Sequence, residues 1–429
     1  MKYTPIKSHL FIENRVKFSS KINSSSIAIF NSNDIMPTNA DGTMPFRQNN
    51  DLFWLSGIDQ EESVLAISPN HPDKSMREVL FLKETNERIA IWEGAKLTKD
   101  DAFKISGITT VFWLKELDRK LAELISKADT IYLNKNIHSR TTSEVQTRDD
   151  RFRLMIAEKF HDKEIKEAAP IMHELRCIKS AEEIVLMQHA CDITEKGLRR
   201  ILPMIKPGIM EYEIEAELIH EFLSNRSNGF AYEPIIGSGV DSCVLHYMDN
   251  NKKCEDGDIL LMDFGAEYAN YASDLTRTVP VNGRFSARQK AVYNSVLHVM
   301  KEATKMLRPG TIIKEYELEV GKLTEYELIK LGLLDKHDIK KQDPKKPLYK
   351  KYFMHGTSHY LGLHVHDVGS LNQDVAAGMV FTCEPAIYIL EEKLGIRLEN
   401  DILVTENGPD DLMKNIPIEL EEIEELMNS

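Results

Sequence analysis

Nowhere in the 429 residues does an apolar run approach the roughly 18 residues that a membrane span requires. Cysteine is scarce as well. Cys177, Cys191, Cys243, Cys254 and Cys383 are scattered, odd in number and without a CxxC pair. This excludes a disulfide scaffold and a thiolate zinc knuckle, and it reads as reduced, mostly buried thiols in a cytosolic protein. With 21 glycines and 16 prolines the chain is neither fibrous nor of low complexity. Positive charge is outweighed, 54 Lys and Arg against 68 Asp and Glu, and no basic block stands out, so a nucleic-acid footprint is absent. The opening residues MKYTPIKSHLFIENRVKF lack the apolar core of a signal peptide. What remains is 42% hydrophobic and 28% charged, a soluble globular composition in a chain long enough for two or three domains.

Residues 1–173 alternate short apolar runs with helical patterns. Ser26–Phe30, Val64–Ile67 and Val79–Leu82 read as strands bounded by Asn, Ser, Pro and Asp. Leu114, Leu117, Leu121 and Leu124 recur at the spacing of one helix face. The alternation predicts an α/β N-terminal domain. Residues 174–429 form a second domain, and near its start Ser180 and Glu183 make an S-x-x-E capping box that opens a long helix.

That helix belongs to a repeat. SAEEIVLMQHACDITEKGLRRILPMIKPG is echoed by SARQKAVYNSVLHVMKEATKMLRPG, each opened by Ser-Ala and closed on Pro-Gly. A charged second helix follows each, EYEIEAEL at 211–218 and EYELEVGKL at 315–323. The pattern predicts an internal duplication with pseudo-two-fold symmetry, whose equivalent strands meet at a shared site.

The stretch ILLMDFGAEYANYASDLTRT, residues 259–278, runs an apolar strand straight into Asp263. A hairpin centred on the loop Glu267–Asn270 places Asp263 directly opposite Asp274, where like charges repel. The second half supplies two more acids at strand ends, Glu384 in VFTCEPAIY and Glu399 in GIRLENDILV. Between the duplicated helices and these strands, MHGTSHYLGLHVHDVG holds His355, His359, His364 and His366. Four carboxylates cannot be buried together as anions without compensation, and two divalent cations supply it. Oxygen-rich ligation with one or more imidazoles suits Mn²⁺, with Co²⁺, Fe²⁺ and Zn²⁺ as alternatives, and the chemistry implied is metal-assisted hydrolysis.

In order and spacing, DFGAEYANYASDLTRT, MHGTSHYLGLHVHDVG, CEPAIY and GIRLEND resemble the metal-binding motifs of the pita-bread metallopeptidases, and within them the aminopeptidase P family. PFRQNNDLFWLSGIDQEESVLAI and IWEGAKLTKDDA look like that family's N-terminal domain. The resemblance implies an α/β N-terminal domain plus an α+β pita-bread catalytic domain with a curved antiparallel sheet. It also implies hydrolysis of the N-terminal Xaa-Pro bond of peptides by attack of a metal-bridging hydroxide. Asp263, Asp274, His359, Glu384 and Glu399 would be the metal ligands, with Asp274 bridging both ions and Glu384 assisting proton transfer to the leaving proline nitrogen. His246 and His366 match catalytic histidines that orient the scissile peptide or stabilise the tetrahedral intermediate. Tyr232, His355 and Arg397 resemble residues of the proline pocket. A homodimer or homotetramer is the family's habit. Trp92 is a candidate for reaching a neighbour's site, although a core position is the expectation for a tryptophan.

Each acid also has a plainer reading. Asp263 serves as a strand-end cap, Asp274 pairs with Arg277 on an exposed strand, Glu384 ends a strand, and Glu399 is a solvated edge residue. Neighbouring activities stay open too: a prolidase, which tends to carry PHG(I/L)GH where this chain has MHGTSH, or a non-catalytic binding protein on the same fold. Thr357 stands where an aliphatic residue is more usual.

Overall fold

A computed structural model describes residues 2–429 except 139, 142 and 371. The chain divides into two compact units, Tyr3–Leu175 and Arg176–Ser429. The first is built on a six-stranded sheet of β1 (Ser26–Asn31), β2 (Val64–Ile67), β3 (Glu78–Leu82), β4 (Thr110–Trp113), β5 (Thr130–Leu133) and β6 (Glu164–Glu167). Its order is β4-β3-β2-β1-β5-β6. β1 runs parallel to β5 and antiparallel to β2, and all six of its residues are buried, the apolar run Ile27–Phe30 together with the polar Ser26 and Asn31 at its ends. Ile27, Ile29, Val64, Phe81 and Ile131 pack with Leu121, Leu124 and Ile125, the apolar face of the helix Leu117–Ile125.

Trp92 is a correction. The seven-residue helix Glu87–Glu93 buries none of its side chains, and Ile91 and Trp92 are 81% and 82% exposed. This tryptophan is outside any core of its own chain.

The second unit carries two helix pairs, α1 (Ala181–Ile201) with α2 (Glu211–Ser224) and α3 (Ala287–Met306) with α4 (Ile313–Lys330). Ser180 and Ser286 cap α1 and α3 alike, each closing a capping box three residues on with Glu183 or Gln289. Gly208 and Gly310 both sit at positive φ, 99° and 85°, which a side chain would resist. Their amides bond equivalent carbonyls: Gly208 N to Cys254 O and Gly310 N to Val375 O, both 2.8 Å. Just beyond, Met210 bridges Lys253 as Ile312 bridges Asp374. These matched anchors set the folded register of the duplication. It differs from the spelled one by two residues, so that Glu317 is the counterpart of Glu215 although the letters EYE align it with Glu213.

The strands are antiparallel throughout this unit. β7 (Ile235–Ser238), β8 (Ile259–Phe264) and β9 (Leu275–Pro280) form one sheet. β10 (Val380–Cys383) and β13 (Asn400–Thr405) form the second with Gly408–Asp411, and β11 (Ala386–Ile389) pairs with β12 (Leu394–Arg397). The two halves join where β9 meets the β12–β13 segment. There Glu399 N donates to Thr276 O (3.1 Å) and Thr278 Oγ1 to Arg397 O (2.9 Å). Among the described residues no helix is long and apolar enough to cross a membrane.

Candidate metal centre

The hairpin carrying the two aspartates turns on Ala269 and Asn270, at φ 54° and 66°, a two-residue turn whose hand suits paired strands. Tyr268 pairs with Tyr271, and the register runs back to Asp263 opposite Thr276. The direct Asp263–Asp274 pairing expected from a four-residue loop is therefore wrong by two positions. Asp274 falls on the diagonal, which keeps both side chains on one face while relieving their repulsion. Gly265 lies opposite Asp274, and a Cβ there would stand 1.8 Å from Ser273 O, so this close backbone approach requires glycine.

The side chains converge on the seam between the halves. The Tyr232 hydroxyl lies 2.6 Å from Asp263 Oδ1 and 2.5 Å from Asp274 Oδ1, placing both carboxylates about one donor. His359 Nε2 is 3.4 Å from Asp274 Oδ2 and 3.6 Å from Glu384 Oε1. Ligand atoms of Asp274, His359 and Glu399 all fall within 4.8 Å of one another. Glu399 Oε2 accepts from Thr276 Oγ1 at 2.7 Å, and the Asp274 amide donates to Asp401 Oδ2 at 3.1 Å. Glu399 and Asp274 are both buried, so the surface readings of these acids fail. Arg277, the alternative partner of Asp274, is itself buried and bonds instead to Pro417 O, Thr276 O, Glu399 O and Asn400 Oδ1.

Around this centre Arg397 is buried, with Nη2 2.5 Å from Asp263 Oδ2, Nη1 2.7 Å from the Tyr388 hydroxyl and Nε 3.1 Å from Thr276 Oγ1. His355 places Nδ1 3.6 Å from Glu384 Oε2 and Nε2 3.0 Å from the same Tyr388 hydroxyl. The rings of His359 and His366 meet edge to face at 4.5 Å. His246 stands exposed on the loop after residues 239–243, near His355. His364 turns away, to Arg176 and Asp367. Tyr388, Thr276 and Asp401 join the site without having been singled out from the sequence, although the two-residue period of a strand sets Thr276 on the face of Asp274 and Asp401 on that of Glu399.

The electrostatics fit a bound cation. Burial first, then the Asp274, Glu384 and Asp263 carboxylates, push Glu399 well above the usual carboxylate range. Burial likewise lifts Glu384 to about 7, with His359 and Arg397 opposing. Burial resists a charge on His359, yet Asp274 and Glu384 raise it to about 9. Four clustered acids hold too little positive charge among their own neighbours, and the donor set of carboxylates with one imidazole is that of a hard divalent metal.

Known proteins resemble this chain in sequence and in fold. Residues 185–406 match the model of metallopeptidase family M24, and residues 11–132 that of the aminopeptidase P N-terminal domain. The Xaa-Pro aminopeptidase of Escherichia coli (strain K12) is 35% identical over 403 residues, covering 90% of each chain. That of Haemophilus influenzae is 33% identical over 430 residues, covering 97% of each. The chain belongs to the aminopeptidase P family of M24 metallopeptidases. The fold agrees: a zinc-substituted E. coli aminopeptidase P in complex with product superposes with a TM-score of 0.89 at 32% identity, over 99% of both chains. The aminopeptidase P fold thus consists of the N-terminal α/β domain and the duplicated catalytic domain described above.

Proposed function

We propose that the chain removes the N-terminal residue of peptides whose second residue is proline, with residues 1–173 as N-terminal domain and 174–429 as catalytic domain. The observation that supports this reading is the convergence of Asp274, His359 and Glu399 beside Asp263 and Glu384 at the seam of the duplicated halves. Asp263, Asp274, His359, Glu384 and Glu399 would hold two divalent ions, Mn²⁺ by the oxygen-rich set, with Co²⁺, Zn²⁺ or Fe²⁺ as alternatives. Such ions, when bound, polarise a carbonyl and activate water.

The chain's own groups do the rest. Tyr232 and Arg397 fix Asp263 from two sides. Glu384, within reach of both His355 and His359, is the group assigned to carry a proton to the leaving proline nitrogen. His246 and His366 flank the site and orient the scissile carbonyl. An Xaa-Pro bond is a tertiary amide without N–H, so its pocket needs an aromatic and imidazole wall more than an acceptor. Tyr232 and His355 are assigned to that wall, with Arg397 beside the pocket. The exposed Ile91 and Trp92 support a homodimer or homotetramer, and the scarcity of cysteine a cytoplasmic location.

The test sets an Xaa-Pro-Yaa tripeptide beside the matching Xaa-Pro dipeptide, with Mn²⁺-reconstituted protein. Cleavage of the tripeptide at the Xaa-Pro bond is expected. Cleavage of the dipeptide alone would make the chain a prolidase, and cleavage of neither would refute the substrate class.

A further inference from the structure

Both histidine-bearing loops of the site are tied to the second helix of a duplicated pair, and in each half the tie is a glutamate. Glu211 opens α2 and is fully buried. Its Oε1 accepts from Ser238 N at 2.9 Å and Ser238 Oγ at 2.7 Å. Its Oε2 accepts from the Tyr247 hydroxyl at 2.8 Å and Lys252 N at 2.9 Å. These four bonds bracket the loop between Ser238 and Lys252, in which Tyr247 turns inward and its neighbour His246 is left exposed. One turn further along α2, Glu215 Oε2 accepts from Asn250 Nδ2 at 2.9 Å, while Asn250 Oδ1 takes the Ile236 amide at 3.0 Å.

In the second half the folded counterpart of Glu215 is Glu317. It accepts from Thr357 N at 2.8 Å and Thr357 Oγ1 at 3.1 Å, midway between His355 and His359. Thr357 is fully buried, and its carbonyl in turn accepts from the Glu384 amide at 2.8 Å. The hydroxyl of this unusual threonine is therefore the second arm of the bond to Glu317. A carboxylate surrounded by donors suits these positions because it accepts on both oxygens, whereas glutamine would turn an NH₂ against an N–H or O–H.

We propose that Glu211 and Glu317 are positioning residues of the peptidase: Glu211 fixes the loop that presents His246, and Glu317, through Thr357, fixes the segment that presents His355, His359 and the Glu384 backbone. The duplicated second helix thus supplies each half with its grip on the chemistry. This rests on the roles assigned above to His246, His359 and Glu384.

The two grips predict different losses. Glu211→Gln should lower kcat on the tripeptide about 10- to 100-fold, with Mn²⁺ content unchanged. In a His246→Ala background the same substitution should cost less than about two-fold, because its effect passes through that histidine. Tyr247→Phe, which removes one of the four bonds, should show the same non-additivity with a smaller loss, and it serves if Glu211→Gln does not fold. Glu317→Gln should instead weaken Mn²⁺ binding about 10- to 100-fold, and Thr357→Val by less. An equal loss from Glu211→Gln with and without His246 would overturn the first assignment. Unchanged Mn²⁺ affinity in both Glu317→Gln and Thr357→Val would overturn the second. Hydrogen exchange over 238–252, which needs no substrate, should rise in Glu211→Gln and Tyr247→Phe, and no rise there would also refute the first. A wild-type chain that binds Mn²⁺ but cleaves no peptide would sink the substrate reading alone, leaving exchange and Mn²⁺ titration to decide both grips.

Discussion

A single hydroxyl proton between two carboxylates decides much at the residue scale. Tyr232 stands 2.6 Å from Asp263 and 2.5 Å from Asp274, while Arg397 holds the far oxygen of Asp263. These partners aim the carboxylates before any ion arrives, as outer partners of metal ligands generally do. Tyr232→Phe should therefore raise the Mn²⁺ dissociation constant about 10- to 100-fold and leave the circular dichroism spectrum unchanged. Asp274→Asn should remove activity to background in a folded protein, because an amide would not supply the negative charge that the carboxylate would bring to the proposed ions; turnover retained with Mn²⁺ would contradict its proposed role. The identities of the acids were legible in the sequence because strand runs that end in Asp or Glu are conspicuous. Tyr388 and Thr276 were not, since a hydroxyl in a buried strand looks like any other packed residue until its partner is placed.

At the scale of elements, the loop from His359 to Asp367 is pinned at its far end. Asp367 lies 2.5 Å from Arg176 Nη2 and 3.2 Å from Lys179 Nζ, all three side chains buried. Burial works against its charge, but Arg176 and Lys179 hold the carboxyl well below the usual carboxylate range. A depressed carboxylate contributes stability that is fully present above its unfolded value, about 4, and is lost as pH falls through the folded one. Asp367→Asn leaves two buried cations uncompensated and should cost about 3–5 kcal/mol in urea unfolding at pH 7. The gap between wild type and variant should narrow on acidification below about pH 4; a gap independent of pH would refute the ion-pair account. In the metal hairpin, Gly265→Ala would drive a Cβ into Ser273 O and should destabilise by about 3 kcal/mol or more. The strands of this hairpin were readable from their apolar runs, but its register was not. Nothing in GAEYANYAS says that Ala269 and Asn270 will take the left-handed conformation, and that choice alone moved the pairing by two residues.

Over the whole molecule, duplication explains why one site draws its acids and histidines from distant sequence. Equivalent Pro-Gly turns, caps and bridges build two similar halves, and the acids of each lie where the strands meet. The repeat was visible as letters, and its helices form where the letters place them. The folded register was hidden because the second half inserts two residues between Gly310 and its EYE motif, which only the matched bridges reveal. The exposed Trp92 was hidden for another reason: tryptophan is usually well buried, so a sequence read alone favours a core position for it. If the proposed oligomer forms through this helix, Trp92→Glu should shift the sedimentation coefficient toward the monomer while changing stability by less than about 0.5 kcal/mol; an unaltered coefficient would remove the support that Trp92 gives to an oligomer.

The proposed function turns on a pair of ions held by Asp263, Asp274, His359, Glu384 and Glu399. It is tested most directly by titrating metal-free protein with Mn²⁺ while following bound metal and tripeptide cleavage together. Saturation is expected at two equivalents per chain, with both equivalents lost or weakened in Asp274→Asn. Saturation of binding and activity at one equivalent, or full binding in Asp274→Asn, would contradict it.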